Sequence, residues 1–380
     1  MRTLIRGLAA LVFLLLALVV FVRLYLGTGE RLADRTGSPR LGAGILETVA
    51  DLEYPPGNVA VSASGRVFVT LHPDGKPPIK VVEIVDGKPV SYPNEEFQRR
   101  SDTDAFFDTV LSLRVDRQNR LWTLDFADFG RGTPRLLAFD LDTDEVVHEY
   151  EFPRDVAGLG SMLNDLQVSP DGRTIYIAET SPLVHHPAII VYDTTTFSSR
   201  RVLDRHASVL PENYIIQAPG RDMRIYGLAV MRIGVDSIAL DRSGEWLYYG
   251  PVTGDRMYRI RTADLGDPAL DDAAIGAKVE DYAAKTLSDG ITTDLAGNVY
   301  LSDMENSAVV LLKPDRTMET LVKDPRLRWP DGFSFGPDDW LYVTCCSLHH
   351  VLFVSQDVMR AHAPYQVYRF KPGAKGIPGH

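Results

Sequence analysis

The sequence predicts an all-β protein, a six-bladed β-propeller with an N-terminal hydrophobic anchor helix. Its 380 residues contain six copies of one unit, in which an alternating strand, a tight turn and a hydrophobic second strand follow each other, as in DGITTDLAGNVYLSD. The copies begin at Gly57, Leu111, Asn164, Asp236, Asp289 and Asp331. Intervals of 42 to 72 residues that contain strands and no helical pattern are typical of propeller blades.

The remainder of each interval supplies the outer strands of a blade. PAIIVYDTT and SSRRVLD follow the third copy, and AVVLLKP and METLVKD follow the fifth. The last blade lacks one strand, because only YQVYRFKP is a good candidate after the sixth copy. The segment before the first copy, ILETVADLEYPPG, resembles the one before the sixth. We therefore expect residues 45–52 to complete the last blade and close the ring, which makes residues 45–380 one domain.

The first 44 residues differ in composition from the rest. Arg2 and Arg6 precede an apolar run from Gly7 to Val22. Residues 1–26 are predicted to be a signal anchor, with a cleaved signal peptide as the alternative, because no A-x-A cleavage site follows the run. Residues 27–44, which are polar and rich in glycine, are predicted to be a flexible tether. The propeller is then expected on the periplasmic face of the membrane, or secreted.

The bulk charge and the cysteines limit the classes of partner. A net charge of −11, with no run of basic residues, argues against nucleic-acid binding, which needs basic patches. The expected partner is a small-molecule ligand, with membrane contact through the N-terminal segment only, and the protein is expected to be a monomer. Cys345 and Cys346 are adjacent, and a disulfide across Cα atoms about 3.8 Å apart would be strained. Two buried thiols are therefore expected.

The start of each repeat unit carries the candidate site. The first strand of a propeller blade lines the central channel, so Asn164, Asp236, Asp289 and Asp331 should form one rim of acids and an amide at its mouth. Converging carboxylates need protons, a basic partner or a cation. Oxygen ligands suit Ca²⁺ or another hard divalent cation, for which Asp236, Asp289 and Asn164 are the candidate ligands. The alternative is that these residues cap turns.

Further polar residues should lie near the same entrance, since the second strand of each blade runs back to it. Possible rim contacts are Glu179, His185, His186, Asp303, His349 and His350, together with His72, Asp125 and Glu305. A histidine there could act as a general base or be an ordinary surface residue. Residues 205–234, within the longest interval, are either a lid over the mouth or a passive surface insertion.

Four segments resemble the major royal jelly/yellow family, in its bacterial form. They are LNDLQVSPDGRTIYIAETS, PAIIVYDTTT with RRVLD, GVDSIALDRSGEWLYYGPVTG and SDGITTDLAGNVYLSDMEN. The resemblance covers nearly everything from about Leu41 onward and implies a secreted six-bladed propeller. It also implies either small-molecule binding in the channel or an activity such as the dopachrome conversion linked to insect members.

A more distant resemblance is to the gluconolactonase/senescence-marker propellers. It implies a divalent cation at the channel mouth, with Asp289, Asp236 and Asn164 at ligand positions. That group has a glutamate in the first blade, where this chain has Gly57 and Asn58. We expect a propeller that binds a small molecule at the channel mouth. The alternative is a cation-dependent lactonase/esterase-like hydrolase or dopachrome-type isomerase in which the metal polarises a carbonyl. No residue is assigned a catalytic role.

Overall fold

The computed structural model describes residues 2–101 and 105–380, and it confirms the all-β, six-bladed prediction. Met1 of the predicted anchor and residues 102–104 of the predicted propeller lie outside the described residues. A helix, α1 (Arg2–Leu26), precedes six four-stranded antiparallel sheets arranged as blades. Within the described part of the chain, no helix combines the length and hydropathy that crossing a bilayer would require.

The strands are numbered in chain order. The ring begins with β1 (Glu47–Leu52), and the first blade follows with β2 (Pro56–Val61), β3 (Val67–Leu71), β4 (Val81–Val85) and β5 (Lys88–Ser91). The second blade is β6 (Val110–Val115), β7 (Arg120–Asp125), β8 (Arg135–Asp140) and β9 (Val146–Glu151), and the third is β10 (Leu163–Val168), β11 (Thr174–Glu179), β12 (Ala188–Asp193) and β13 (Ser198–Val202).

Two small hairpins stand between the third and fourth blades. They are β14 (Gln217–Ala218) with β15 (Arg221–Asp222), and β16 (Arg224–Ile225) with β17 (Ala229–Val230). The fourth blade is β18 (Val235–Leu240), β19 (Trp246–Pro251), β20 (Arg256–Arg261) and β21 (Glu280–Ala284). The fifth blade is β22 (Ser288–Thr293), β23 (Val299–Asp303), β24 (Ala308–Leu312) and β25 (Met318–Lys323). The sixth blade contains β26 (Pro330–Phe335), β27 (Leu341–Cys345) and β28 (Tyr365–Phe370).

Short helical turns occupy some of the loops. They are α2 (Ala127–Gly130), α3 (Thr262–Gly266), α4 (Asp272–Gly276) and α5 (Gln356–Ala361), with 3₁₀ turns at Ala43–Ile45, Pro73–Gly75, Pro337–Asp339 and Leu348–His350.

Burial decreases from the channel outward. The first strands, such as β10 and β22, are buried along their whole length, because they lie between the channel and the rest of the blade. Fourth strands such as β9 are largely exposed. The core consists of apolar clusters, several of which lie between neighbouring blades and hold them face to face. Cys345 and Cys346 are both buried free thiols.

The last blade takes its outer strand from the N-terminal side of the ring. Strand β1 pairs with β28, with Glu47 opposite Arg369 and Leu52 opposite Tyr365. Ala50 and Leu52 are buried in the core that this pairing completes. The two ends of the propeller chain therefore share one sheet, and the last blade has four strands.

The segment predicted to be a flexible tether is docked on the propeller instead. The backbone N–H of Glu30 donates to the carbonyl of Asn213 at 2.7 Å, and its carbonyl accepts from Ile215 at 2.9 Å. Further along, Arg35 forms an ion pair with Asp255 at 2.5 Å. The composition indicated a linker, but arginine side chains and backbone groups of this segment form hydrogen bonds and ion pairs with several blades. These contacts offset the conformational entropy that a polar, Gly-rich segment loses when it becomes ordered.

Candidate functional site

A cavity of about 760 Å³ opens at the mouth of the central channel. The four residues predicted for the rim, Asn164, Asp236, Asp289 and Asp331, all line it. Much of the remaining wall is apolar, and its side chains include Leu111, Phe129, Met162, Leu183, Val184, Ile225, Val230, Met231, Ile233, Leu348, Leu352 and Phe353. The cavity thus has a polar floor and apolar walls.

β-Bulges at the start of the first strands form the floor. In all six blades the pairing between first and second strands shifts register at this point. In blade five, the backbone N–H of Gly290 donates to the Ser302 hydroxyl at 2.8 Å. In blade six, Gly332 donates likewise to the Thr344 hydroxyl at 2.9 Å, which donates in turn to the Gly57 carbonyl of blade one at 2.7 Å. In blades five and six the bulges therefore redirect side chains into the channel while the N–H groups of Gly290 and Gly332 remain hydrogen-bonded.

Close approach of neighbouring blades explains why Asp is followed by Gly. A Cβ atom on Gly290 would overlap the backbone carbonyl of Asp331 in the next blade. A Cβ atom on Gly332 would lie 2.5 Å from the amide oxygen of Asn58. The first strands converge at the floor, so the residue after each of these two aspartates can have no side chain.

Asp289 sits at the centre of the hydrogen bonding on the floor. Its Oδ2 accepts a 2.6 Å hydrogen bond from Nε1 of Trp329. Burial raises the pKa of Asp289 to about 6, the Trp329 hydrogen bond opposes this, and the charge of Asp165 adds to it. Lys285, buried behind it, lowers the Asp289 pKa by its positive charge, and burial lowers the pKa of Lys285 itself to about 7.

Asp236 and Asp331 are also poised toward the protonated form. Burial raises the pKa of each well above the ordinary value, and the Asp289 carboxylate raises both further. Hydrogen bonds from Asn164 and Thr180 partly offset the rise in the Asp236 pKa, and the Thr180 hydroxyl lies 3.4 Å from Oδ2 of Asp236. These carboxyl groups repel one another and gain from any proton or cation that neutralises them.

Asp165 is a floor residue that sequence analysis missed. It also lines the cavity, and its Oδ1 accepts hydrogen bonds from Asn58 Nδ2 at 2.6 Å and from the Ser112 hydroxyl at 3.2 Å. Burial raises its pKa to about 6, although the Arg114 charge opposes this. The first blade thus contributes an amide donor in Asn58, and the acid it contacts comes from the third blade.

Part of the floor has the donors of a metal site. Oxygen atoms of Asp289 and Asp331 and the Sγ atom of Cys346 all lie within 4.8 Å of one another. Burial raises the pKa of the Cys346 thiol well above its usual value, so the thiol is neutral at physiological pH. The carboxylates of Asp289 and Asp331 suit a hard divalent cation, and the neutral thiol does not contribute to such a fit. Asp236, which was predicted as a ligand, is not in this group.

Four of the five predicted histidines divide into two groups. His185 and His72 line the cavity, and burial lowers the pKa of both. His349 and His350 are absent from the described lining. His349 stacks on Trp329 with ring centroids 6.0 Å apart, and burial lowers its pKa to about 3. His350 stacks on His362 at 3.6 Å and has a pKa of about 4 from burial.

Several predicted rim contacts have structural partners and do not line the cavity. Glu179 forms an ion pair with Arg201, and His186 Nε2 lies 3.1 Å from a carboxylate oxygen of Asp204. Asp303 accepts backbone N–H bonds from the two residues that follow Met304, and so caps that turn. Asp125 likewise caps its loop by accepting from the backbone of residues 108, 109 and 127. Asp303 and Asp125 therefore act as turn caps and not as rim contacts.

Residues 205–234, called the lid segment below, form part of the cavity wall. Ile225, Val230, Met231 and Ile233 contribute apolar surface to it. Arg221 fastens the segment to blade six by donating to the carbonyls of His349 at 2.7 Å and Leu352 at 3.0 Å. A passive insertion would have no such role in the wall.

The lid segment is held on a second side by Glu305. Its Oε1 accepts a 2.7 Å hydrogen bond from the backbone N–H of Gln217. Burial raises the Glu305 pKa to about 7.

Comparison with known proteins assigns the family. Residues 108–339 match the major royal jelly protein family. The chain belongs to this family. Relatives include major royal jelly protein 3 of Apis mellifera, 24% identical over 272 residues that cover 67% of this chain and 48% of the relative. Major royal jelly protein 1 of Apis mellifera is 24% identical over 274 residues, which cover 67% of this chain and 61% of that protein. The matches thus span about half the length of these relatives.

Solved structures with the same architecture carry several functions. The calcium-binding protein regucalcin from Agrobacterium tumefaciens has a TM-score of 0.53 and 15% identity, covering 87% of this chain and 96% of its own. A gluconolactonase from Xanthomonas campestris has a TM-score of 0.54 and 14% identity, covering 86% and 88%. A luciferin-regenerating enzyme has a TM-score of 0.57 and 12% identity, covering 88% and 98%. At these identities the likeness establishes the fold only.

Proposed function

We propose that the protein binds a small organic molecule in the channel cavity, with an apolar body and a positively charged or hydrogen-bond-donating end. The observation that carries this proposal is the composition of the lining. Among the described lining residues, five aspartates stand against a single arginine, in a wall that is otherwise largely apolar. A few convergent polar groups in an apolar pocket are the usual pattern of a small-molecule site.

The energetics favour a cationic end group. Four of the aspartates, Asp165, Asp236, Asp289 and Asp331, have raised pKa values, which means that their negative charge is under-compensated in the folded protein. An ammonium group at the floor would relieve this repulsion, because an opposite charge at short range favours the ionised carboxylate. The apolar walls would stabilise an alkyl or ring body by about 25 cal/mol per Å² of apolar surface removed from water.

A matched set of probes tests the charge preference. Hexylammonium, hexan-1-ol and hexanoate share one apolar body and differ in the end group. Titration calorimetry should give the tightest binding for hexylammonium and the weakest for hexanoate. Asp236→Asn should reduce the preference for hexylammonium, whereas Asp315→Asn, at an exposed loop position, should not. Equal binding of the three probes, or tighter binding of hexanoate, would contradict the proposal.

A divalent-cation site with hydrolase or isomerase activity is the second candidate. It is supported by the oxygen donors on the floor and by the likeness to a protein described as a gluconolactonase. Asp289 and Asp331 would hold the ion, and Asp236 and Asn164 line the same cavity as further oxygen donors. A bound cation supplies a Lewis acid that polarises a carbonyl group and lowers the pKa of water.

A thermal-shift series separates the two candidates. Protein treated with chelator is titrated with Ca²⁺, Mg²⁺ and Mn²⁺, and a specific ion at a hundredfold excess over its Kd should stabilise the fold by about 2.7 kcal/mol. Asp289→Ala should abolish this gain. Turnover of glucono-δ-lactone or of a dopachrome by the loaded protein would then select the enzyme, and the lack of any cation effect would exclude it.

The proposed site of action is outside the cytoplasm, either anchored at the periplasmic face or secreted. The apolar segment after Arg2 and Arg6 supports this part of the proposal. N-terminal sequencing of protein from the native host tests it. A chain that retains residues 1–26 supports an anchor, and a chain that begins after Gly27 supports a cleaved signal peptide.

A further inference from the structure

Exposed apolar side chains surround the entrance to the cavity. Leu183, Val184 and Phe353 line the cavity and are nevertheless 60%, 54% and 38% exposed. Tyr226 and Leu228 of the lid segment are 78% and 47% exposed. These five residues are called the mouth rim. They come from three separate loops, and the rings of Tyr226 and Phe353 approach to 5.6 Å across two of them.

The apolar helix α1 meets the propeller at this same rim. Arg23, near its end, donates from Nε to the carbonyl of Leu228 at 3.3 Å. Along the helix, apolar side chains such as Leu8 and Phe13 are exposed. Two apolar surfaces that are exposed among the described residues therefore lie next to each other. Scattered apolar side chains are ordinary on a protein surface, but a contiguous patch marks an interaction site.

The charges beside the rim differ from those of the whole chain. The chain has a net charge of −11, but its lid segment contains four arginines against one aspartate and one glutamate. Residues 2–35 contain five arginines against one aspartate and one glutamate. An apolar patch bordered by arginine fits the interface of an anionic bilayer, where apolar groups enter the acyl region and basic groups meet the headgroups.

We propose that the mouth rim and helix α1 together bind an anionic lipid bilayer, so that the cavity opens toward the membrane. The exposed apolar side chains of helix α1 lie at the acyl boundary of the interface, and Leu183, Tyr226 and Phe353 contact the same boundary. Arg23 faces the headgroups, and the excess of arginine over acidic residues in the lid segment adds positive charge beside it. This surface does not depend on which ligand the cavity takes. A protein partner or a second copy of this chain would cover the rim in a different way, which the test distinguishes.

Fluorescent probes on the full-length protein test the orientation. Leu228→Cys and Phe353→Cys place a labelling site on two different elements of the rim, so the test survives if one variant fails to fold. Val147→Cys on β9, where the native side chain is 51% exposed, is the matched control away from the mouth. The native Cys345 and Cys346 are buried and should not be labelled.

The labelled proteins are reconstituted into vesicles of phosphatidylglycerol and phosphatidylcholine that carry bromine on the acyl chains. Both rim probes should lose most of their fluorescence to the bromolipid, and the β9 probe should keep its own. Rim probes quenched no more than the control would overturn the proposal, as would equal quenching at all three positions. A spectral shift of the rim probes that grows with protein concentration in the absence of vesicles would indicate a second copy, and would also overturn it.

Discussion

Trp329 donates a hydrogen bond from its indole Nε1 to Oδ2 of Asp289 at 2.6 Å, and this contact joins blade six to blade five at the cavity floor. The Trp329 backbone has a φ of 55°, a left-handed conformation that is uncommon for a bulky residue. A strained backbone that orients a donor toward a buried acid is typical of a functional site. The hydrogen bond favours the ionised form of Asp289 in a place where burial disfavours it.

Asp289→Asn is expected to reduce the pH dependence of stability. The Asp289 pKa is raised from 3.8 to about 6 in the folded protein, so the folded state binds the proton more tightly than the unfolded state. The stabilisation is fully present below pH ~4 and is lost as the pH rises through ~6, by an amount on the order of 3 kcal/mol. Chemical denaturation of the metal-free protein across this pH range measures the free energy of unfolding. This free energy should depend less on pH in the Asn variant than in the native protein. Trp329→Phe removes the hydrogen-bond donor that lowers the Asp289 pKa, so it should enlarge the loss of stability as the pH rises.

Gly290→Ala is expected to destabilise the propeller strongly. The new Cβ atom would overlap the carbonyl of Asp331 in the neighbouring blade, and backbone cannot move aside as a flexible side chain can. Overpacking of this kind costs roughly 1–3 kcal/mol, and occasionally more. Gly266→Ala is the control, because a Cβ atom there has no neighbour within 4 Å among the described atoms. Equal melting temperatures for the two variants would contradict the convergence of the first strands.

Arg221→Ala is expected to loosen the lid segment without unfolding the ring. The side chain holds the segment to the carbonyls of His349 and Leu352, and the blades themselves do not depend on it. Hydrogen exchange should become faster in residues 214–230 and remain unchanged in the strands of the blades. Arg205→Ala, at an exposed position in the same segment, serves as the control. Uniform acceleration throughout the protein would show that the lid segment is part of the global folding unit.

Leu52→Ala is expected to lower the free energy of unfolding by about 2–5 kcal/mol, since the side chain is buried in the closing blade.

Deletion of residues 1–52 should abolish cooperative unfolding, because the last blade would expose a sheet edge at β28. Deletion of residues 1–26 should leave the ring intact and is the control. Calorimetry compares the three proteins, and a 1–52 deletion that melted like the control would refute closure through β1.

The features that could be predicted from the sequence are those that depend on local periodicity. Alternation of apolar residues and regularly spaced turns indicated six blades, and the similarity between the segments before the first and sixth copies indicated the pairing of β1 with β28. The register of the repeat also located Asp236, Asp289 and Asp331, which line one cavity. Strand periodicity is a property of neighbouring residues, so it can be read without knowing the rest of the fold.

The structure decided the features that depend on contacts between blades. Strict alternation would direct Asn164 and Asp165 to opposite faces, but the bulge in β10 brings both to the cavity. Acids and histidines at or after the ends of second strands, such as Glu179, Asp303 and His349, were expected at the rim. Glu179 pairs with an arginine, Asp303 caps a turn and His349 stacks on an indole ring instead. The sequence by itself determined the number of blades and the order of their strands, because the apolar pattern of each blade strand reflects its own burial. Tertiary structure alone decided which polar groups meet, because a bulge, a docked tether or an ion pair forms only where distant segments approach.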